Sequence, residues 1–212
     1  INTYFIDEED TLDNDVLSKL WLSLNGKVLG FSTSNGKLNQ NLLSNVLLIE
    51  SSKERSRKLS RALSSSLESN PRRRMDLDSI IMSVSLAEAR RLKPELEYNF
   101  GESLSVYLLP EWENEGYYLE KELDLENVLL IDLPWMLNPE IPYLDTLPDK
   151  RNRYFALGFD SYDIAILLSN NKNLGNFNFI GMSGKLVYRN GKLLRKSLKA
   201  EIHEGSFKVI GF

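Results

Sequence analysis

One short apolar run, followed at once by a helix-start signal, restricts the fold more than any other feature of this chain. Residues 78–84 read Asp-Ser-Ile-Ile-Met-Ser-Val, which is typical of a short buried strand bounded by charge. Ser85 and Glu88 then form a capping box, which predicts a helix that ends near Pro94. A strand that passes directly into a helix is the repeating unit of α/β proteins.

The same alternation continues on both sides of this run. Before it we predict strands over 1–6 and 27–32 and a helix over 38–48. Between the two strands we predict a helix capped by Thr11, with apolar positions Val16, Leu17, Leu20 and Leu24. A further helix is predicted from a Ser51–Glu54 capping box to about Leu67. After it we predict strands over 104–109 and 127–131, a helix over 160–169, a hairpin over 184–196 turning at Asn190-Gly191, and a last strand over 207–210. The predicted fold class is α/β.

The amino-acid composition excludes several kinds of functional site. The 212 residues include no cysteine and one histidine, so thiol nucleophiles, zinc–thiolate sites and multi-histidine metal sites are excluded, and we expect no cofactor, metal or catalytic residue. A net charge of −4 argues against a nucleic-acid partner, and no apolar run is long enough to predict a transmembrane helix. The chain opens at Ile1 without an initiator Met, so we expect it to be part of a longer protein whose targeting segment lies upstream.

Charge is unevenly distributed along the chain. Residues 53–74 carry eight basic side chains against two acidic ones, and residues 111–126 carry seven acidic side chains against Lys121. Each segment is either a solvated face or part of a polarised surface that orients a protein or polyanion partner. The candidate partner surface consists of Arg72, Arg73, Arg74, Glu111 and Trp112.

A second set of candidates lies at predicted strand ends, where open α/β sheets bind their ligands. The candidate cleft residues are Ser83, Ser85, Pro110, Asp132 and Trp135. The aromatic members either line a cleft or fill the core beneath the loops, and the sequence leaves both alternatives open.

Four segments, residues 71–96, 127–137, 153–165 and 177–196, together resemble the LppC (LpoA) family of lipoproteins that activate class A penicillin-binding proteins. The distinctive parts are the arginine run leading into Asp76-Leu77-Asp78, the Leu133-Pro134-Trp135 segment and the sequence ALGFDSY over 156–162. The resemblance covers about residues 40 to 205 and is thin before them. It implies a type I periplasmic-binding-protein-like fold. Residues 1–212 would form one α/β domain, a C-terminal fragment of a larger two-lobed domain that holds mainly the second lobe with returning elements.

The resemblance also implies a function. The chain would be a non-enzymatic binding module on the periplasmic side of the outer membrane, lipid-anchored in the full-length protein, whose partner is a class A penicillin-binding protein, with peptidoglycan as a further candidate partner. The alternative is a periplasmic solute-binding protein for an amino acid or a peptidoglycan fragment. A third, weaker hypothesis is a flavodoxin-like or hydrolase-type enzyme that depends on Asp132.

Overall fold

The computed structural model describes residues 1–8, 12–34, 41–66, 68–99, 103–109, 121–137, 151–170 and 176–212. The chain divides into two compact units, residues 1–108 and residues 109–212. Helices and strands occur in both units, and the strands of the first are parallel, so the predicted α/β class is confirmed.

A parallel sheet forms the centre of the first unit. Its strands are β1 (Asn2–Asp7), β2 (Lys27–Thr33), β3 (Ser79–Ser83) and β4 (Ser105–Leu108), in the spatial order β4-β3-β1-β2. In β3 the first four residues are buried, because a central parallel strand is covered on both faces. The four strand predictions for this unit are confirmed to within one or two residues.

Helix α1 (Asn14–Ser23) differs from its prediction in its cap and in its buried face. Asp13 is the N-cap, and its carboxylate accepts hydrogen bonds from the backbone N–H groups of Asp15 and Val16. Thr11, the predicted cap, lies outside the described residues. Three of the four predicted face residues are exposed, namely Val16, Leu20 and Leu24. Trp21 instead meets the sheet, with its ring edge-on to Phe5 at 5.7 Å.

Helices α2 (Leu42–Val46) and α3 (Ile49–Ala62) begin and end at other residues than predicted. Helix α3 starts after Leu48, which adopts a left-handed conformation with φ 57°, so Ser51 lies inside the helix instead of capping it. The chain leaves the helix at Leu63, where residues 63–66 add three consecutive serines that favour turns over helix. The capping-box prediction at Ser51 and the end near Leu67 were therefore wrong.

Helix α4 (Leu86–Tyr98) confirms the capping box and extends further than expected. The Ser85 hydroxyl accepts a hydrogen bond from the backbone N–H of Glu88 at 3.2 Å. Pro94 lies inside the helix and does not end it. A proline there removes one helical hydrogen bond, but the burial of Leu92 and Leu96 on either side stabilises the continuation.

The second unit contains two antiparallel sheets. One has the order β10-β9-β5, formed by β5 (Val128–Asp132), β9 (Leu198–His203) and β10 (Ser206–Gly211). The other has the order β6-β7-β8, formed by β6 (Phe177–Gly181), β7 (Gly184–Arg189) and β8 (Lys192–Lys196). The predicted hairpin is confirmed, with Asn190 and Gly191 at φ 51° and 78°, as a two-residue type I′ turn requires.

Two helices complete this unit, α5 (Pro134–Leu137) and α6 (Arg153–Asn170). The sequence predicted only the second half of α6 and neither α5, β6 nor β9. In the core, Trp135 packs with Leu133, Met136 and Ala156, and Phe155 covers the cluster from one side. This cluster fixes the segment that follows β5 against the first turn of α6.

Candidate functional site

The predicted cleft residues of the first unit, Ser83 and Ser85, lie where β3 leads into α4. The Ser83 carbonyl accepts a hydrogen bond from the backbone N–H of Glu8 at 3.1 Å. The backbone N–H of Ser85 donates to the Glu8 carboxylate at 2.5 Å, while the Ser85 hydroxyl caps α4. Both residues therefore hold the ends of β1 and β3 together at the carboxyl edge of the sheet.

Glu88 joins this edge to α4 through a buried polar network. Its carboxylate accepts hydrogen bonds from the Ser34 hydroxyl and from Arg91, whose Nε lies 2.9 Å from Oε2. The Arg91 hydrogen bond lowers the pKa of Glu88, and this outweighs the opposing effect of burial. Arg91 also contacts Glu95 at 3.1 Å, yet burial raises the pKa of Glu95. The surroundings of Glu88 therefore favour its charged form, whereas those of Glu95 favour its protonated form.

A small cavity of about 170 Å³ opens beside this edge of the first unit. It is lined by Phe5, Asp7, Asn14, Phe31, Ser32 and Thr33. The rings of Phe5 and Phe31 are stacked at 5.3 Å, and Asp7 accepts a hydrogen bond from the backbone N–H of Leu12 at 2.8 Å. Two rings and a carboxylate can hold a small ligand that carries an amino group. The sequence reasoning did not select Asp7, although its position at the end of the first predicted strand was a usable signal.

Asp132, a predicted cleft residue of the second unit, is engaged in a buried ion pair. Arg153 binds it in bidentate fashion, with Nη2 at 2.7 Å from Oδ2 and Nε at 3.0 Å from Oδ1. The backbone N–H of Leu133 donates to the same carboxylate at 2.7 Å. The two side chains are only 1% and 3% exposed. The pair therefore connects the end of β5 to the first residue of α6 and offers little surface to a ligand.

Trp135, the other predicted cleft residue of this unit, is fully buried. Its ring lies 5.9 Å from that of Phe155, and the Arg151 guanidinium lies 5.3 Å from the ring centre. Arg151 also donates to the Trp135 carbonyl at 2.8 Å. These contacts place Trp135 in the core beneath the segment that follows β5. Pro110, the remaining cleft candidate, lies outside the described residues.

An apolar groove of about 570 Å³ crosses the second unit and was not predicted from the sequence. Its lining residues are Pro134, Phe159, Asp160, Asp163, Phe179, Ile180, Gly181, Met182, Leu198, Val209 and Phe212. Asp160 is itself buried and accepts hydrogen bonds from the backbone N–H groups of Met182 and Ser183, at 2.8 and 2.6 Å. The carboxylate thereby fixes the turn between β6 and β7, which forms one wall of the groove.

The three arginines of the candidate partner surface have different surroundings. Arg73 donates to the carbonyl groups of Arg74 and Leu77, and Arg74 binds Asp76 through two hydrogen bonds of 2.7 Å. The Arg74 guanidinium lowers the pKa of Asp76 to about 2. The side chain of Arg72 is exposed, while its backbone N–H donates to the Ser52 hydroxyl. Glu111 and Trp112 lie outside the described residues.

Among the described residues, no group of three or more histidine, aspartate or glutamate side chains is arranged to hold a metal ion. In the described part of the chain, no helix has the length and hydropathy that crossing a membrane requires.

Comparisons with known proteins place the chain in a family. The family described as "LppC putative lipoprotein" matches residues 17–201. The penicillin-binding protein activator LpoA of Aliivibrio fischeri is 24% identical over 90% of this chain and 33% of its own length. The protein of the same name from Photobacterium profundum is 23% identical over 87% of this chain and 32% of its own.

The chain thus spans about a third of the length of the curated relatives it matches. Among solved structures, an extracellular ligand binding receptor from Desulfohalobium retbaense DSM5692 aligns with 100% of this chain and with 36% of the receptor's own length. The TM-score is 0.48 and the sequence identity is 13%. The family match extends from the middle of α1 to β9 and includes the Asp132–Arg153 pair and the Asp160 turn described above. The chain belongs to the LppC family of lipoproteins.

Proposed function

We propose that this chain is a non-enzymatic regulatory module that binds a class A penicillin-binding protein and stimulates its peptidoglycan synthesis. The observation that carries the proposal is the match to two curated relatives named as penicillin-binding protein activators, which covers nine-tenths of the chain. The described geometry is consistent with a regulator, because two buried carboxylates of the second unit are engaged in structural contacts. Asp132 is paired with Arg153, and Asp160 fixes a turn.

The same proposal gives the setting in which the chain works. An activator of a peptidoglycan synthase must reach the periplasm, and a family of lipoproteins would act from the periplasmic side of the outer membrane. The lipid anchor would be carried by the full-length protein. Peptidoglycan itself is the second candidate partner, since it is both the product of the synthase and the material around the complex.

Reconstitution with purified components tests the proposed function. The chain is added to the class A penicillin-binding protein of the same organism, and glycan polymerisation and peptide cross-linking are measured over time. We expect a dose-dependent increase in at least one of the two rates, together with direct binding in a pull-down or by calorimetry. Absence of both binding and stimulation would overturn the proposal. Heat-denatured chain at the same concentration is the control.

A second candidate function is suggested by the cavity at Phe5, Asp7 and Phe31, namely binding of a small solute such as an amino acid or a peptidoglycan fragment. A ligand present at 100 times its Kd should stabilise the fold by about 2.7 kcal/mol, which a thermal-shift screen detects as a rise in Tm. Asp7→Asn should remove that rise for ligands that carry an amino group. A screen without any shift would argue against this candidate and leave the first untouched.

A further inference from the structure

Helix α3 is an exposed helix whose role in the core is small. Of its 14 residues, all of them described, Ile49 is the one that is buried. The side of the helix that carries Ser52 and Ser56 contacts the chain that returns after it, through hydrogen bonds to the backbone N–H of Arg72 and the hydroxyl of Ser69. The opposite side is open to solvent, so its side chains are not explained by packing.

The open side of α3 forms a shallow recess of about 360 Å³ with a marked distribution of charge. It is lined by Glu50, Ser51, Glu54, Arg57, Lys58 and Arg61. Glu50 is paired with Lys53, and Glu54 with Lys58 at 3.3 Å. The guanidinium groups of Arg57 and Arg61 form no hydrogen bond or ion pair with any residue in the described ranges. The acidic side chains of the recess are thus neutralised locally, and the two arginines have no partner among the residues that the structure describes.

The two arginines affect the helix itself in opposite ways. Arg57 and Arg61 are four residues apart, so they are neighbours on one face, and like charges at this spacing destabilise a helix. Arg61 also lies in the last turn of α3, where a cation stabilises the helix dipole, so helix stability accounts for Arg61 but not for Arg57. Arginine is enriched in protein interfaces.

We propose that the recess of α3 is the docking surface for a carboxylate-rich segment of the synthase, with Arg57 and Arg61 as the groups that bind the carboxylates. This inference rests on the proposed function and specifies the surface through which it operates. The planar guanidinium donates two parallel hydrogen bonds to a carboxylate, which gives direction as well as attraction. Two guanidinium groups with Glu50 and Glu54 beside them suit a few directed carboxylates better than the dense negative charge of a phosphate polyanion or an anionic lipid surface.

Paired variants with equal net charge test the docking surface. Arg57→Gln with Arg61→Gln removes two charges from the recess, and we expect the Kd for the purified class A penicillin-binding protein to rise about tenfold or more. Arg55→Gln with Lys192→Gln removes two exposed charges, one from α3 outside the recess and one from the hairpin, and should leave the Kd within about twofold. The wild-type Kd should also rise with salt, and rise less steeply in the recess variant.

The outcomes separate this inference from the function on which it rests. Wild-type chain that does not bind the synthase would overturn both proposals. Wild-type binding that the recess variant retains would overturn the α3 surface alone, as would an equal loss in both paired variants. Vesicles with 30% anionic lipid serve as a further probe, and binding to them that disappears only in the recess variant would reassign the surface to lipid. Unchanged thermal unfolding of both variants verifies that the folds are intact.

Discussion

At the scale of single residues, Asp132 and Asp160 show how this chain uses buried charge. Asp132 is the last residue of β5 and accepts a hydrogen bond from the backbone N–H of Leu133. Asp160 lies in the middle of α6 and accepts hydrogen bonds from the backbone N–H groups of Met182 and Ser183. Asp132 is in addition neutralised by Arg153. A buried charge is tolerated only when its partners replace the lost hydration, so both residues are tied to the geometry around them.

Replacing Asp132 by asparagine removes the carboxylate charge that faces the buried Arg153 in the bidentate pair. We expect Asp132→Asn to lower the free energy of unfolding by about 3–5 kcal/mol, measured by urea denaturation followed by circular dichroism. Asp124→Asn, at an exposed position of the same unit, should change it by less than about 0.5 kcal/mol. Replacing both partners, as Asp132→Leu with Arg153→Met, should cost less than the single change. A larger loss in the double variant would contradict this account.

Alanine substitutions at two glycines, Gly181 and the control Gly158, test the contact around Asp160. A Cβ added to Gly181 would lie 2.3 Å from the Asp160 carboxylate, which cannot move without losing its hydrogen bonds in the β6–β7 turn. We therefore expect Gly181→Ala to destabilise the fold by about 1–3 kcal/mol. Gly158 lies in the interior of α6, with no atom within 4 Å of the added Cβ, so Gly158→Ala should stabilise by about 0.5–1 kcal/mol. Equal shifts in Tm for the two variants would contradict this prediction.

At the scale of elements, α4 depends on an ionised group that is buried at its N-terminus. Glu88 binds Ser34 and Arg91, and its pKa lies below the ordinary value near 4.5. A carboxyl group whose pKa is lowered in the folded state stabilises that state above the unfolded pKa, and the stabilisation is lost as the pH falls through the folded pKa. Glu95 acts in the opposite sense, because burial raises its pKa and protonation then favours the fold.

The pH dependence of α4 can be measured with Glu88→Gln. At pH 7 we expect this variant to be less stable than the wild type by about 1–3 kcal/mol, because a hydrogen bond to a charged partner is lost. The difference should persist down to about pH 5 and decrease below pH 4.5. Glu68→Gln, at an exposed position, is the control and should match the wild type at pH 7. A gap between wild type and Glu88→Gln that widens towards pH 3 would be inconsistent with the lowered pKa.

The elements also show what the sequence could and could not predict. Ser85, β3 and the Asn190-Gly191 hairpin follow from local chemistry, and the structure confirms them. The end of α4 could not be read from Pro94, because the burial of Leu92 and Leu96 outweighs one missing hydrogen bond. Strand β9 was missed although Leu198, Ala200 and Ile202 alternate as buried residues with exposed or half-buried ones, a period of two that the sequence displays.

The candidate sites were harder to predict than the elements, because they depend on tertiary partners. Asp132 and Trp135 were selected for their position after a strand, and this position is correct. Nothing local indicated that Arg153, 21 residues later, occupies the carboxylate, or that Arg151 lies over the indole. The recess of α3 is the opposite case: its charge was visible in the sequence, and the structure added which of its arginines form no hydrogen bond or ion pair with the described residues.

At the scale of the whole molecule, net charge is a poor guide to what the chain binds. The value of −4 is the small difference between 26 basic and 30 acidic side chains, and residues 53–74 oppose it with a strongly positive segment. Binding of a partner would then depend on where the charged side chains lie on the surface. For this reason the recess variant and its matched control, which have the same net charge, are expected to differ in affinity for the synthase.

Each compact unit contains its own buried ionic contact, and this makes a prediction about the chain as a whole. In the first unit, Glu88 has the partners Ser34, Ser85 and Arg91 named above. In the second unit, Asp132 has the partners Leu133 and Arg153. Substitutions without shared partners have additive effects to within about 0.5 kcal/mol. We therefore expect the free-energy loss of Glu88→Gln with Asp132→Asn to equal the two single losses added together. A coupling energy above about 1 kcal/mol in this double-mutant cycle, measured at pH 7 by urea denaturation, would show instead that the two contacts share a structural dependence.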